Sequence, residues 1–161
     1  MPSLIREIQS GGQTGVDRAA LDAAMAHGIP YGGWIPRGRL AEDGVVPDRY
    51  IHMVETVETD YAARTERNVQ TADATLVIHF GPLEGGSLLT AELAARFNKP
   101  CLTIDLDTEQ QDQALQATRA WLTALAAQVR LNVAGPRASV APDGYGRARA
   151  FLEALLGEVV P

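Results

Sequence analysis

The sequence predicts an α/β fold: a Rossmann-like, doubly wound, mostly parallel sheet of about five strands with helices on both faces. Two observations predict it. Strand-like and helix-like runs alternate from end to end, and helices of ten or more residues between strands mark βαβ crossovers, which are right-handed and cover both sheet faces. In addition, three strand ends carry glycine-rich, polar sequence, and in open α/β sheets ligands bind beyond the carboxyl ends of strands. With 161 residues, no low-complexity run and no interdomain linker, one ligand-binding domain spanning 1–161 is expected.

The elements follow in order. Residues 4–9 read as a strand stopped by Gly11 and Gly12. Residues 17–27 read as a helix, because Ala20, Leu21, Ala24 and Met25 recur at helical spacing before Gly28 and Pro30 end it. Residues 31–35 form a short strand, 36–49 a long polar working loop, and 51–55 a minor strand. Asp60 is placed to cap a helix running to about Thr71. Residues 75–80 are a β-branched, buried-type strand, followed by a helix from Ser87 or Leu88 to Phe97. A strand over 101–106, an amphipathic helix over 109–128, a strand over 129–134 and a helix over 145–156 complete the chain.

Composition removes several function classes. Fourteen basic against twenty acidic residues leave a formal charge of −6, which disfavours a general nucleic-acid binder but not an anion held by backbone N–H groups. The lone Cys101 allows neither an internal disulfide nor a thiolate zinc site and reads as a small core residue. His27, His52 and His79 lack ligand spacing, so no metal site is expected. No apolar run is long enough to span a bilayer, and the start shows no signal peptide, which reads as cytoplasmic.

The three strand ends supply the candidate site. In the first, Gly11, Gly12, Gln13, Thr14 and Gly15 lie between strand and helix. Glycines let the backbone approach a ligand, and the helix start offers unpaired N–H groups and a partial positive charge. The spacing is neither G-x-G-x-x-G nor a Walker A sequence. The plain alternative is a tight turn with Asp17 as a first-turn charge. In the second, Gly85, Gly86 and Ser87 repeat the arrangement, with Thr90 one turn on; the alternative is a helix start capped by Ser87. The third carries Gly135 and Arg137 after the last strand, and Arg137 suits phosphate or carboxylate. Trp34 offers a stacking surface or core packing. Arg64 and Asn68 share a helix face and could point at the ligand together. Tyr61 reads as packing, and Glu42 and Asp43 as solvated carboxylates in the long loop. No nucleophile–base pair is visible.

Taken in register, these segments resemble one family. Residues 10–21, Gly32-Gly33-Trp34 with Pro36-Arg37-Gly38-Arg39, Ala41-Glu42-Asp43-Gly44, Tyr61, Arg64-Thr65, Asn68-Val69, Gly81-Pro82-Leu83 with Gly85-Gly86 and Thr90, and Asn132-Val133-Ala134-Gly135-Pro136-Arg137 with Ser139 are similar to the molybdenum carrier proteins. That family is related to the YpsA-type proteins, the DNA-processing protein A fold and the lysine-decarboxylase-like phosphoribohydrolases. The resemblance implies a Rossmann-like fold, a homo-oligomer (dimer or tetramer) and a non-catalytic carrier of molybdenum cofactor, a phosphate-bearing pterin. It further implies a molybdoenzyme or cofactor-biosynthesis partner. The phosphate would sit on residues 11–15 or 85–87, the ring against Trp34 or Asn68, and the oxyanionic end near Arg137. Two alternatives remain: a nucleotide-signal sensor, and a phosphoribohydrolase-like enzyme cleaving nucleoside 5′-monophosphates with Glu92 as acid/base. The enzymes' motif has a second glycine and a threonine where this chain has Leu88 and Leu89, which puts that activity in doubt.

Overall fold

A computed structural model describes residues 3–125 and 127–159. Met1 and Pro2 of the amino-terminal reading, and Ala126 within the expected fourth helix, lie outside the described residues. The elements run β1 (Ile5–Gln9), α1 (Val16–Ala26), β2 (Tyr31–Ile35), β3 (Leu40–Ala41), β4 (Gly44–Val45), β5 (Met53–Glu55), α2 (Tyr61–Thr71), β6 (Ala74–His79), α3 (Gly85–Arg96), β7 (Cys101–Asp105), α4 (Gln111–Ala124), β8 (Val129–Ala134) and α5 (Gly144–Val159). The alternation of strands and helices read from the sequence is therefore the architecture.

Six strands form the main sheet in the order β5-β2-β1-β8-β6-β7, and every pairing in it is parallel. The minor strand expected over 51–55 is Met53–Glu55, a three-residue edge strand paired with β2, and it brings the expected count of about five to six. The long loop also differs from expectation: it contains a small β3–β4 hairpin. Arg39 organises that hairpin by donating to the carbonyls of Val46, Pro47 and Tyr50, so it is structural and does not face a ligand. Leu21, Ile35, Ala41, Val46, Tyr50 and Met53 form the small core beneath it.

Helices cover both faces. On one face α1, α4 and α5 pack in the main core. Alanines 19, 20, 23 and 24 let α1 approach Ala148, Phe151 and Leu152 of α5 closely, and burial of that apolar surface is the main driving force for the layer. On the other face α2 meets α3 through Val69, Leu93 and Ala94, with Cys101 beside them as a half-buried packing residue. No helix among the described residues is long and apolar enough to cross a membrane.

The strand order positions the site. The chain runs β1, β2, β5 outward on one side, crosses to β6 and β7 on the other, and returns as β8 into the gap between β1 and β6. The carboxyl ends of β1, β8 and β6 thus stand side by side, at the topological switch point.

Candidate functional site

A cavity of about 460 Å³ opens where those three strand ends meet. Gly11 and Gln13 enter it after β1, Gly85, Gly86, Ser87 and Thr90 from α3, and Gly135 and Arg137 after β8. Arg64 and Asn68 of α2 form another wall. Ten of the expected residues therefore share one cavity. Gly12, Thr14, Gly15 and Trp34 do not line it, each for a local reason.

The first loop is closed on itself. The Gly12 amide donates to Ser10 Oγ (3.2 Å), the Gln13 amide to Asp17 Oδ2 (3.3 Å) and the Thr14 amide to Gln13 Oε1 (3.1 Å). The first amide of α1, on Val16, donates to the Pro136 carbonyl at 3.3 Å. Of the expected anion cradle over residues 11–15, the amides at 12, 13 and 14 are spent inside the loop. Gly12 turns away from the cavity, since a Cβ there would meet Ile35 and Val46. Gly15, at φ 81°, lets the loop abut the third segment; a Cβ would stand 2.5 Å from the Pro136 carbonyl oxygen.

Thr14 serves the rim. Its hydroxyl donates to Glu42 Oε1 at 2.5 Å and accepts from the Ala138 amide at 3.0 Å. Glu42 also accepts from the Ser139 amide and hydroxyl (3.0 and 2.5 Å) and pairs with Arg137 Nε at 3.5 Å. The Ser139 and Thr14 hydroxyls hold the Glu42 carboxyl below its ordinary range. Asp43 pairs with both terminal nitrogens of Arg18 (2.5 and 2.8 Å). Glu42 and Asp43, read from the sequence as solvated, instead fasten the β3–β4 hairpin to the cavity rim. Among the described residues no cluster of His, Cys, Asp and Glu could hold a metal ion.

The second loop is open. α3 starts at Gly85, two residues before Ser87, with Glu84 at its cap position and no side chain capping it. The expected Ser87 cap is thus corrected. The first turn of a helix leaves its amides without intrahelical partners, and those of Gly85, Gly86 and Ser87 make no hydrogen bond among the described residues. The Ser87 residue is 7% exposed and lines the cavity. Thr90 donates back to the Gly86 carbonyl. The positive end of the α3 dipole therefore faces the cavity with its donors unspent.

Arg64 and Asn68 do different work. Arg64 is 8% exposed and donates to the carbonyls of Gly11 (3.2 Å) and Tyr61 (3.0 Å) and to the Thr65 hydroxyl. It sits over the Tyr61 ring at 5.3 Å, so Tyr61 is a wall of the site and not simply packing. Asn68 is a clamp: its oxygen accepts from Gln9 and the Trp34 amide, and its nitrogen donates to the Trp34 carbonyl. Its polar atoms fix α2 to β1 and β2 and are not offered to a ligand. Trp34 lies in a separate groove with Tyr31, His52 and Arg130, and the Arg67 guanidinium covers its ring at 4.9 Å. Glu92 is exposed on α3 and outside the cavity lining.

Two polar residues were not singled out as site residues in the sequence. Asn132, buried on β8, donates to Thr75 Oγ1 and lines the cavity; an Asn inside a buried-type strand is the signal that could have found it. Asp17 is 6% exposed and lines the cavity beside Arg64. Burial pushes its carboxyl up to about 6, against the opposing pull of Arg64 and of the Gln13 amide. Burial also lowers the Arg64 pKa, with Asp17 opposing.

Comparison with known proteins places this architecture. The family model described as "Circularly permutated YpsA SLOG family" matches residues 8–156. The solved structure of "Putative molybdenum carrier protein" from Syntrophus aciditrophicus is 48% identical, covers 97% of this chain and 98% of its own, and superposes with a TM-score of 0.93. A search of curated proteins finds no match. Sequence, strand order and the cavity at the switch point agree: the chain belongs to the circularly permutated YpsA SLOG family.

Proposed function

We propose that this chain is a binding protein for a phosphate-bearing small molecule, and that the carried molecule is molybdenum cofactor. The observation that carries the reading is the uncapped first turn of α3, opening into the cavity between Arg64 and Arg137. Backbone amides at a helix start bind a phosphate without a net basic surface, which suits a chain of charge −6. The cavity volume falls in the range of roughly 300–1,000 Å³ typical of sites for compact organic ligands. The name of the 48% identical relative supports molybdenum-related cargo.

In this reading the phosphate rests on Gly85, Gly86 and Ser87, because the first loop spends its amides at 12, 13 and 14 internally. Arg137, half-exposed at the rim, takes the oxyanionic end. The phosphoribohydrolase alternative gains nothing from Glu92, whose side chain stands outside the cavity.

Protein isolated from its native host is expected to carry molybdenum and the fluorescence of an oxidised pterin, with the bound molecule identified by native mass spectrometry. Ser87→Asp, which places a carboxylate among the α3 amides, is expected to lose that molecule while its far-UV circular dichroism stays unchanged. Full ligand content in the folded variant would overturn the assignment of α3 as the phosphate site.

A further inference from the structure

The cavity wall holds a buried pair of opposite charges, Asp17 from α1 and Arg64 from α2. Both reach the same point: a Cβ on Gly11 would lie 2.9 Å from Asp17 Oδ2 and 2.6 Å from Arg64 Nε. Asp17 and Arg64 are 6% and 8% exposed. Opposite in sign, the two offset each other in the buried wall.

An anion entering this cavity changes that balance. Arg64 stays a cation, since a guanidinium is not deprotonated in proteins. An ionised Asp17 would then face a second negative charge in a poorly hydrated wall, and like charges sharing such a site drive one of them to take a proton. Of the other charged groups, Arg18 relieves it only in part. Arg18 on the same helix is paired with Asp43, Arg137 is paired with Glu42, and Glu84 at the opposite lip adds negative charge. Tyr61 lies under Arg64 and contributes no positive charge. The hydrogen bond from the Gln13 amide and the approach of the Gly135 amide favour the ionised form but leave burial dominant.

We propose that the cavity takes up its anion together with one proton, which is bound by the Asp17 carboxylate. The bound anion replaces Asp17 as the counterion of Arg64, and the proton removes the competing carboxylate charge from the wall. The proton comes from solvent and returns to it on release, so the site loads more tightly at lower pH and discharges as pH rises. The proposal rests on the reading of the cavity as an anion site. Burial in the wall, which pushes the Asp17 carboxyl up to about 6, acts in the same direction as the anion.

Sulfate is the probe, because it keeps its charge across the range tested. Its binding is followed through the amide resonances of Gly85 and Gly86 at pH 5.5 and pH 8, with proton uptake measured by calorimetry in buffers of different ionisation enthalpy. The wild-type protein is expected to bind sulfate about tenfold more tightly at pH 5.5, one decade for each unit by which the anion raises the Asp17 pKa. Proton uptake is expected to be largest at about pH 6.5, between the free and bound pKa values of Asp17, and small at pH 8. Asp17→Asn is expected to bind equally at both pH values with no uptake. Equal affinity and no uptake in the wild-type protein, or pH dependence retained in Asp17→Asn, would overturn the proposal even if the variant proves hard to fold, since the wild-type arm stands alone. Absence of saturable sulfate binding at both pH values would remove the anion reading itself.

Discussion

The loops that open α1 and α3 look alike in sequence and behave oppositely. Each follows a strand, each contains paired glycines, and each leads into a helix. In the first, Ser10, Gln13 and Asp17 turn their side chains inward and consume the amides of residues 12–14. In the second, no side chain reaches back, and the amides of residues 85–87 remain open. Glycine allows a backbone to present N–H groups; whether it does so depends on what else in the loop competes for them. The first loop is a structural joint with a buried acid, and the second is an anion-facing helix start.

Substituting the glycines separates the two most sharply. Gly15→Ala puts a Cβ 2.5 Å from the Pro136 carbonyl at a positive φ, and a loss of about 4 kcal/mol in urea unfolding is expected. Gly86→Ala meets nothing within 4 Å and is expected to leave stability unchanged or raise it by up to about 1 kcal/mol. Comparable losses in both variants would break the contrast.

The buried acid of the first loop gives the next effect. Its folded pKa of about 6 stands above the ordinary 3.8. The folded state therefore binds the proton more tightly than the unfolded state. The contribution to stability is full below about pH 4 and is lost as pH rises through about 6. Two units correspond to about 3 kcal/mol as an upper bound. Relative to Asp17→Asn, the wild-type protein is expected to lose about 2 kcal/mol between pH 4.5 and pH 8 in urea titrations. Parallel pH profiles for the two proteins would show that Asp17 is ionised without penalty. The carboxyls of Asp22, Glu42, Asp43, Asp73 and Asp105, held low by their partners, act in the opposite direction and cancel in this difference.

The smallest effect is expected at Glu92. Exposed on α3 and outside the cavity, it should change nothing on Glu92→Gln: sulfate titration of the Gly85 and Gly86 amides should match wild type. A clear loss of affinity would place Glu92 back in the site.

Much of the fold was legible because its signals are local. Alternating strand and helix runs, β-branched enrichment in 74–79 and the glycines after strands all depend on residues close in sequence. The minor strand over 51–55 was legible too and is seen as β5, but the β3–β4 hairpin was not, since two-residue strands carry no periodicity and their pairing depends on the backbone around Arg39. Arg64 and Asn68 were legible as one helix face, but their roles were not: Asn68 is spent on Trp34 and Gln9, 34 and 59 positions away. Asp17 read as an ordinary first-turn charge because burial is a property of packing.

By itself, the sequence determined a parallel α/β fold with glycine-rich loops at three strand ends, because local periodicity and turn chemistry are written residue by residue. The tertiary structure alone decided that β8 returns between β1 and β6, which gathers those loops around one cavity. It also decided which loop keeps its amides free and that Asp17 and Arg64 share a dry wall. Hydrogen-bond competition and desolvation are set by neighbours distant along the chain, and those neighbours exist only once the chain has folded.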